Sequence, residues 1–171
     1  MTLRRCLDSV YDAAGYLAAL FLLGTLAMVL TGIAGRFLDF HLPGTDAYAG
    51  YCMAGCGFLA LAHTFKRGEH IRVTLLLDHV GTGAHRALEL WALAVASVLA
   101  ALFALYSIRL AFQSWAFNDI STASDATPLW IPQLAMAVGT LVLLVALVDE
   151  LVLEARRRRG STASAAPLHN E

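Results

Sequence analysis

Four long stretches of this 171-residue sequence lack formal charge: residues 13–35, 47–65, 90–108 and 126–148 contain no Asp, Glu, Lys or Arg. Each is about as long as a helix must be to cross a hydrocarbon core ~30 Å thick. Uncharged runs of this length move the chain out of water. They make helices the spanning structure, because backbone amides in lipid must be satisfied within their own segment. A mid-depth Asp or Lys costs about 2.5–3.5 kcal/mol on insertion scales, so a proton or ion relay has to carry one for a reason. None is present here. Cysteine is also scarce: Cys6, Cys52 and Cys56 are all there are, and none falls in a far-side loop. A disulfide framework is therefore not indicated. No basic surface with interleaved aromatics appears, which argues against nucleic acid as a partner.

The composition, 58% hydrophobic and 15% charged, fits a small all-α polytopic membrane protein. The expected spans run over about 13–35, 47–65, 88–110 and 128–152. Together they make a single four-span domain over 1–155, with a basic and then disordered tail over 156–171. This leaves no room for a separate soluble catalytic domain. The first stretch outruns the ~7–15 residues of a signal h-region, and Gly35-Arg36 is a poor cleavage context, so it reads as a retained span.

Lys and Arg set the orientation. Ten of them fall on one side of a four-span chain: Arg4 and Arg5, then Lys66, Arg67, Arg72 and Arg86, then Arg156 to Arg159. Only Arg36 and Arg109 fall on the other, at span ends where long side chains snorkel. Both termini and the central loop are expected in the cytoplasm of a bacterial cell, with the spans in its inner membrane and in contact with lipid. Short amphipathic segments are expected along the cytoplasmic surface. One is Leu3 to Tyr11, and a second follows KRGEHIRV (66–73), with Ile71, Leu75, Leu76 and Val80 toward acyl chains. On the far side, Thr45 or Asp46 is placed to cap the second helix. Trp115, Phe117 and Trp130 flank a polar loop as interfacial anchors. Pro128 and Pro132 mark the entrance of span four, and a first turn tolerates a proline there because its amide lacks a helical partner anyway.

Few residues point to chemistry. His63 reads as an interfacial histidine near the end of span two. Cys52 and Cys56, four apart, share a helix face as small packing residues rather than a redox pair. The other histidines lie in loops, near span ends or in the tail, which is a poor arrangement for haem between helices. No cofactor is expected. Small residues recur at four-residue spacing, as in Ala27, Thr31 and Gly35, in Cys52, Cys56, Ala60 and Thr64, and in Ala92, Ala96, Ala100 and Ala104. Rows of this kind let helices approach closely in lipid. Asp46 opens span two as a dipole-stabilising acid or as a far-side contact. Lys66, Arg67, Glu69, His70 and Arg72 cluster around Gly68, which permits a tight helix end.

Three features together resemble the small membrane subunit of tripartite ATP-independent periplasmic (TRAP) transporters. They are Asp46 in PGTDAYAGY (43–51), the run GFLALAHTFKRGEHIRV (57–73), and SDATPLWIPQLAMAVGTLVL (124–143). The family often has Glu at the first position with a tryptophan shortly before it, and a leucine-proline link where Gly81-Thr82-Gly83 stand here. The resemblance implies a three-part uptake system. In it a periplasmic solute-binding protein captures a solute, commonly an organic acid. A large membrane permease subunit moves the solute on a sodium gradient, and the small subunit enlarges the stationary scaffold. Asp46, Lys66, Arg67, Gly68, His70, Arg72, Pro128, Trp130 and Pro132 then become candidates for the structural signature or for subunit contacts. No catalytic, substrate-binding or metal residue is expected. Two other readings remain at this stage. One is a self-sufficient four-span exporter working as a dimer, and the other is a membrane redox subunit.

Overall fold

The computed structural model describes residues 2–40, 42–66 and 82–163. Four helices hold most of them: α1 (Thr2–Phe37), α2 (Thr45–Lys66), α3 (Thr82–Ala116) and α4 (Trp130–Ala163). Among the described residues, three stretches are long and apolar enough to cross a membrane: Arg5–Phe37, Ala87–Ala116 and Trp130–Arg156. Helix α2 falls below them in hydropathy because Tyr48, Tyr51, three glycines and His63 dilute its apolar side chains. Its 22 residues still reach ~33 Å at 1.5 Å each.

The helices do not close into a square bundle. Extensive contacts join α1 to α2, α2 to α4, and α4 to α3, while α1 barely meets α4. In space the order is therefore α1–α2–α4–α3, an open row with α1 and α3 at its edges. Helix α1 runs antiparallel to α2, since Gly15 faces His63, Gly24 faces Cys52 and Gly32 faces Thr45. Helices α2 and α4 run parallel, with Phe58 against Gly139 and Lys66 against Asp149.

Small residues make the row possible. A Cβ at Gly139 would come within 2.5 Å of the Phe58 carbonyl oxygen, so at this crossing α4 lies directly on the α2 backbone. Helix α3 buries Ser97, Ala100, Ala104, Ser107, Ala111 and Ser114. These alternate three- and four-residue steps, the heptad spacing of a left-handed helix pair. The hydroxyls of Ser97, Ser107 and Thr140 donate to carbonyls four residues back, so burying them leaves no donor unpaired. Helix α1 follows the same steps through buried Tyr11, Ala14 and Ala18.

Two expectations change. The Leu3 to Tyr11 segment is not a separate surface piece but the first turns of α1. No Gly or Pro interrupts the chain there, and Tyr11 is only 2% exposed, packed with Leu7, Phe65, Ala62 and Ala146. The four-residue row in α1 packs only in part: Gly35 is buried and Thr31 half-buried, but Ala27 is exposed. The second amphipathic segment lies outside the described residues, as do 164–171 of the tail. Helix α4 continues to Ala163.

Helices α1 and α3 end alike. Asp39 (φ 53°) and Asn118 (φ 51°) adopt the left-handed conformation, and the following amides, Phe40 N–H and Asp119 N–H, donate to Gly35 and Ser114 carbonyls. These are Schellman-type C-terminal caps made with Asp and Asn, the non-glycine residues that tolerate that region best.

Candidate functional site

Polar side chains collect at the two ends of the row. At the end that carries Lys66, this residue closes α2, and its ammonium donates to Asp149 Oδ2 of α4 at 2.6 Å, with Glu150 Oε2 at 3.8 Å. It also lies 5.5 Å from the centroid of the Tyr11 ring of α1. Both ion-pair side chains are only about one-fifth exposed (20% and 21%), so the pair is shielded from water. One turn earlier, His63 Nδ1 approaches the Tyr11 carbonyl at 3.2 Å and Asp12 Oδ1 at 3.8 Å. Gly15 makes room for the ring, since a Cβ there would stand 2.8 Å from Nδ1. This end is a three-helix clamp built on one cation. Arg67, Gly68, His70 and Arg72 of the same signature lie outside the described residues.

At the opposite end, the 117–129 loop folds into a short two-stranded turn. Ile120 pairs with Pro128, Ser121 N–H donates to the Thr127 carbonyl, and Leu129 N–H donates to the Asp119 carbonyl. Asp125 is its hub. The hydroxyls of Ser121 and Tyr51 donate to its two oxygens at 2.9 and 3.1 Å. The hydrogen bond from Thr127, joined by those from Ser121 and Tyr51, holds its carboxyl below the usual aspartate range against the opposing effect of burial. The Tyr48 and Thr127 hydroxyls are hydrogen-bonded to each other at 3.3 Å. Gly44, at φ +86°, presses against the Asp125 side chain, where a Cβ would sit 2.7 Å away. The α1–α2 connection and the α3–α4 loop are thus joined into one surface. Gly44, not Thr45 or Asp46, supplies the carbonyl that opens α2, by accepting from Tyr48 N–H.

Asp46 sits in the first turn of α2 and is exposed. It shares a cleft of about 330 Å³ with Arg36, Asp39, Phe40, Thr31 and Thr45. Pro128 is exposed in the bridge, Trp130 is the first residue of α4 and half-buried, and Pro132 occupies the first turn. The structure thus splits the candidate residues. Lys66 belongs to one end, while Asp46, Pro128, Trp130 and Pro132 belong to the other.

Sequence reasoning missed Tyr11, Asp149, Asp125 and Tyr51. Asp149 carried a signal, being an acid at the end of span four at the same depth as Lys66. Cys52 lies under Gly24 and packs α1 onto α2. Among the described residues, no three His, Cys, Asp or Glu side chains gather into a metal site.

Comparison with curated proteins finds no match. A family model described as tripartite ATP-independent periplasmic transporters, DctQ component, matches residues 25–157. That interval holds the last third of α1, all of α2 and α3, both loops of the Asp125 surface, and α4 past Asp149. The chain belongs to this family of small TRAP transporter components, which are parts of a transporter and not enzymes.

Proposed function

We propose that this protein is the four-span scaffold subunit of a TRAP-type uptake transporter in a bacterial inner membrane. It works beside a large permease subunit and a periplasmic solute-binding protein. Helix α2 crosses the bilayer with the other three. Both termini and the Lys66 clamp face the cytoplasm, and the Asp125 surface faces the periplasm. The lopsided distribution of Lys and Arg supports this orientation. So does the alternation of helix directions, which puts both chain ends on the side of Lys66.

The observation that carries the reading is the open row. A chain that packs its helices edge to edge leaves the middle of both outer helices with apolar side chains uncovered, with Leu20, Leu23 and Leu26 exposed on α1 and Val98, Leu102 and Leu105 on α3. Such a shape gains its remaining partners from lipid and from a second membrane protein. Within it, the chain supplies position rather than passage. The solute, an organic acid in this reading, and the sodium ion that drives it pass through the large subunit. The solute-binding protein touches the surface formed by 36–46 and 113–131, where the Asp125 turn fixes both loops. Lys66 holds the cytoplasmic end of α2 against α4.

Purification of the tagged chain from native membranes tests the proposal. Recovery of a large multi-span partner in stoichiometric amount is expected, and recovery of the chain alone or as a homodimer would contradict it.

A further inference from the structure

The cleft between the end of α1 and the start of α2 gathers charge without pairing it. Its volume of about 330 Å³ lies within the size range of small-molecule sites. Two glycines shape it. A Cβ at Gly32 would stand 3.2 Å from Thr45 Oγ1, so the two helices meet at its floor. One at Gly35 would stand 2.8 Å from the Phe40 carbonyl oxygen, so the connection folds back over the helix end. Arg36, Asp39 and Asp46 all line the cleft. Among the described residues, none of these three side chains takes part in an ion pair or a hydrogen bond. The first-turn amides of α2 open beside them, and a helix offers such amides no carbonyl of its own.

The charges select the ligand. An anion alone would meet the carboxylates of Asp39 and Asp46, and a cation alone would meet the Arg36 guanidinium. A group that carries a phosphate and an ammonium on a short link answers all three. Its phosphate suits Arg36 and the α2 amides, and its ammonium suits the two carboxylates. The surroundings show where such a group comes from. Arg36 is the first charge after the uncharged stretch 13–35, which places the cleft at the edge of the hydrocarbon. Phe37, Leu38, Phe40 and Leu42 are exposed around it. Leu22 and Val29 precede Arg36 at seven-residue steps on one side of α1 and are exposed too, so an apolar track leads from the cleft into the bilayer.

We propose that this cleft binds the headgroup of a phospholipid that carries a primary amine, phosphatidylethanolamine, with the acyl chains running along Leu22 and Val29. Arg36 holds the phosphate, as a two-pronged donor, and Asp39 and Asp46 hold the ammonium. The inference requires that α1 crosses the bilayer and not that the chain is a scaffold, so either reading can fail alone. The 36–46 connection also belongs to the surface proposed for the solute-binding protein, and the test separates the two occupants.

The test uses the full-length chain purified in mild detergent. Each phospholipid is added in turn to the micelles, and bound lipid is counted by native mass spectrometry. Phosphatidylethanolamine is expected to be retained about ten-fold better than phosphatidylglycerol, which lacks the amine, and than phosphatidylcholine, whose methylated amine has no N–H to donate. Free phosphoethanolamine, which has the headgroup without the acyl chains, is expected not to compete at equal concentration. Arg36→Gln is expected to lower phosphatidylethanolamine retention about ten-fold, as is Asp39→Asn combined with Asp46→Asn. All three side chains are exposed, and asparagine keeps the left-handed turn at residue 39, so the variants are expected to melt with the unaltered protein.

Equal retention of the three lipids by the unaltered chain would overturn the headgroup assignment. Equal competition by free phosphoethanolamine would make the cleft a site for a soluble zwitterion instead. Unchanged retention in the variants would place the lipid elsewhere on the protein. If the doubly substituted chain keeps the lipid but no longer captures the solute-binding protein of its own transporter, the carboxylates serve that protein and the lipid site fails.

Discussion

The Lys66 ammonium and the Asp149 carboxylate meet at 2.6 Å across the parallel α2–α4 pair, with the Tyr11 ring beside the same nitrogen. One side chain thereby fixes the relative height of three helices at the end of the row. Lys66→Ala leaves Asp149 and Glu150 without their cation. Removing one partner of a fully buried pair costs about 3–5 kcal/mol, and partial exposure brings the expected loss here to about 1–3 kcal/mol. Thermal unfolding of the purified protein in detergent measures it. Lys66→Ala combined with Asp149→Ala should cost less than the sum of the single changes, because the two act through one contact.

The α2–α4 crossing depends on the absence of a side chain at residue 139. Gly139→Ala would place a methyl 2.5 Å from the Phe58 carbonyl oxygen, which is backbone and cannot rotate away. The helices must separate, at a cost of about 1–3 kcal/mol. Gly57→Ala is the control, since nothing lies within 4 Å of the added methyl. There the higher helix propensity of alanine should leave stability unchanged or raise it by up to ~1 kcal/mol. Melting temperatures of the two variants are expected to move in opposite directions, or only that of Gly139→Ala to fall.

Asp125 gives the loop surface a pH dependence of known sign. Its folded-state pKa lies below the ordinary aspartate value of ~3.9. The stabilisation it contributes is therefore complete above that value and lost as pH falls through the lower, folded one. Protease protection of the 117–129 turn should be flat from neutral pH down to about 4 and should decline only in stronger acid. Tyr51→Phe removes one donor and should move the decline to higher pH. Asp125→Asn should abolish the dependence and weaken protection at neutral pH.

Much of the fold is written in the charge pattern. Each uncharged stretch falls largely within one helix, because burial in lipid penalises charge at every position of a span. What the pattern omits is adjacency. Depth can be read along one helix, but the partner of Lys66 depends on α4, not α3, lying beside α2, and hydropathy is indifferent to that choice. Packing rows suffered likewise. Four-residue spacing picked out Ala27, Thr31 and Gly35, of which Gly35 is buried and Ala27 exposed, whereas the first half of α1 packs at alternating threes and fours through Tyr11, Ala14 and Ala18. Leu3 to Tyr11 reads as an amphipathic surface segment, whereas its Tyr11 ring turns in against Ala62 and Ala146 while Asp8 and Asp12 face outward. At the other end, Gly44 and Asp125 are far apart in the chain, and their contact follows only once both loops are brought to the same end of the row.

Four crossings with uncharged interiors are the claim on which the rest depends, and thiol labelling in intact cells tests it most directly. Single cysteines replace Arg5, Leu38, Ala87, Thr122 and Arg156 in turn, in a chain without its native cysteines. The account predicts that a membrane-impermeant maleimide labels the Leu38 and Thr122 positions in intact cells, and the other three only after permeabilisation. Labelling of the Ala87 position from outside, on the same side as Leu38, would mean that α2 does not cross, and would contradict the account.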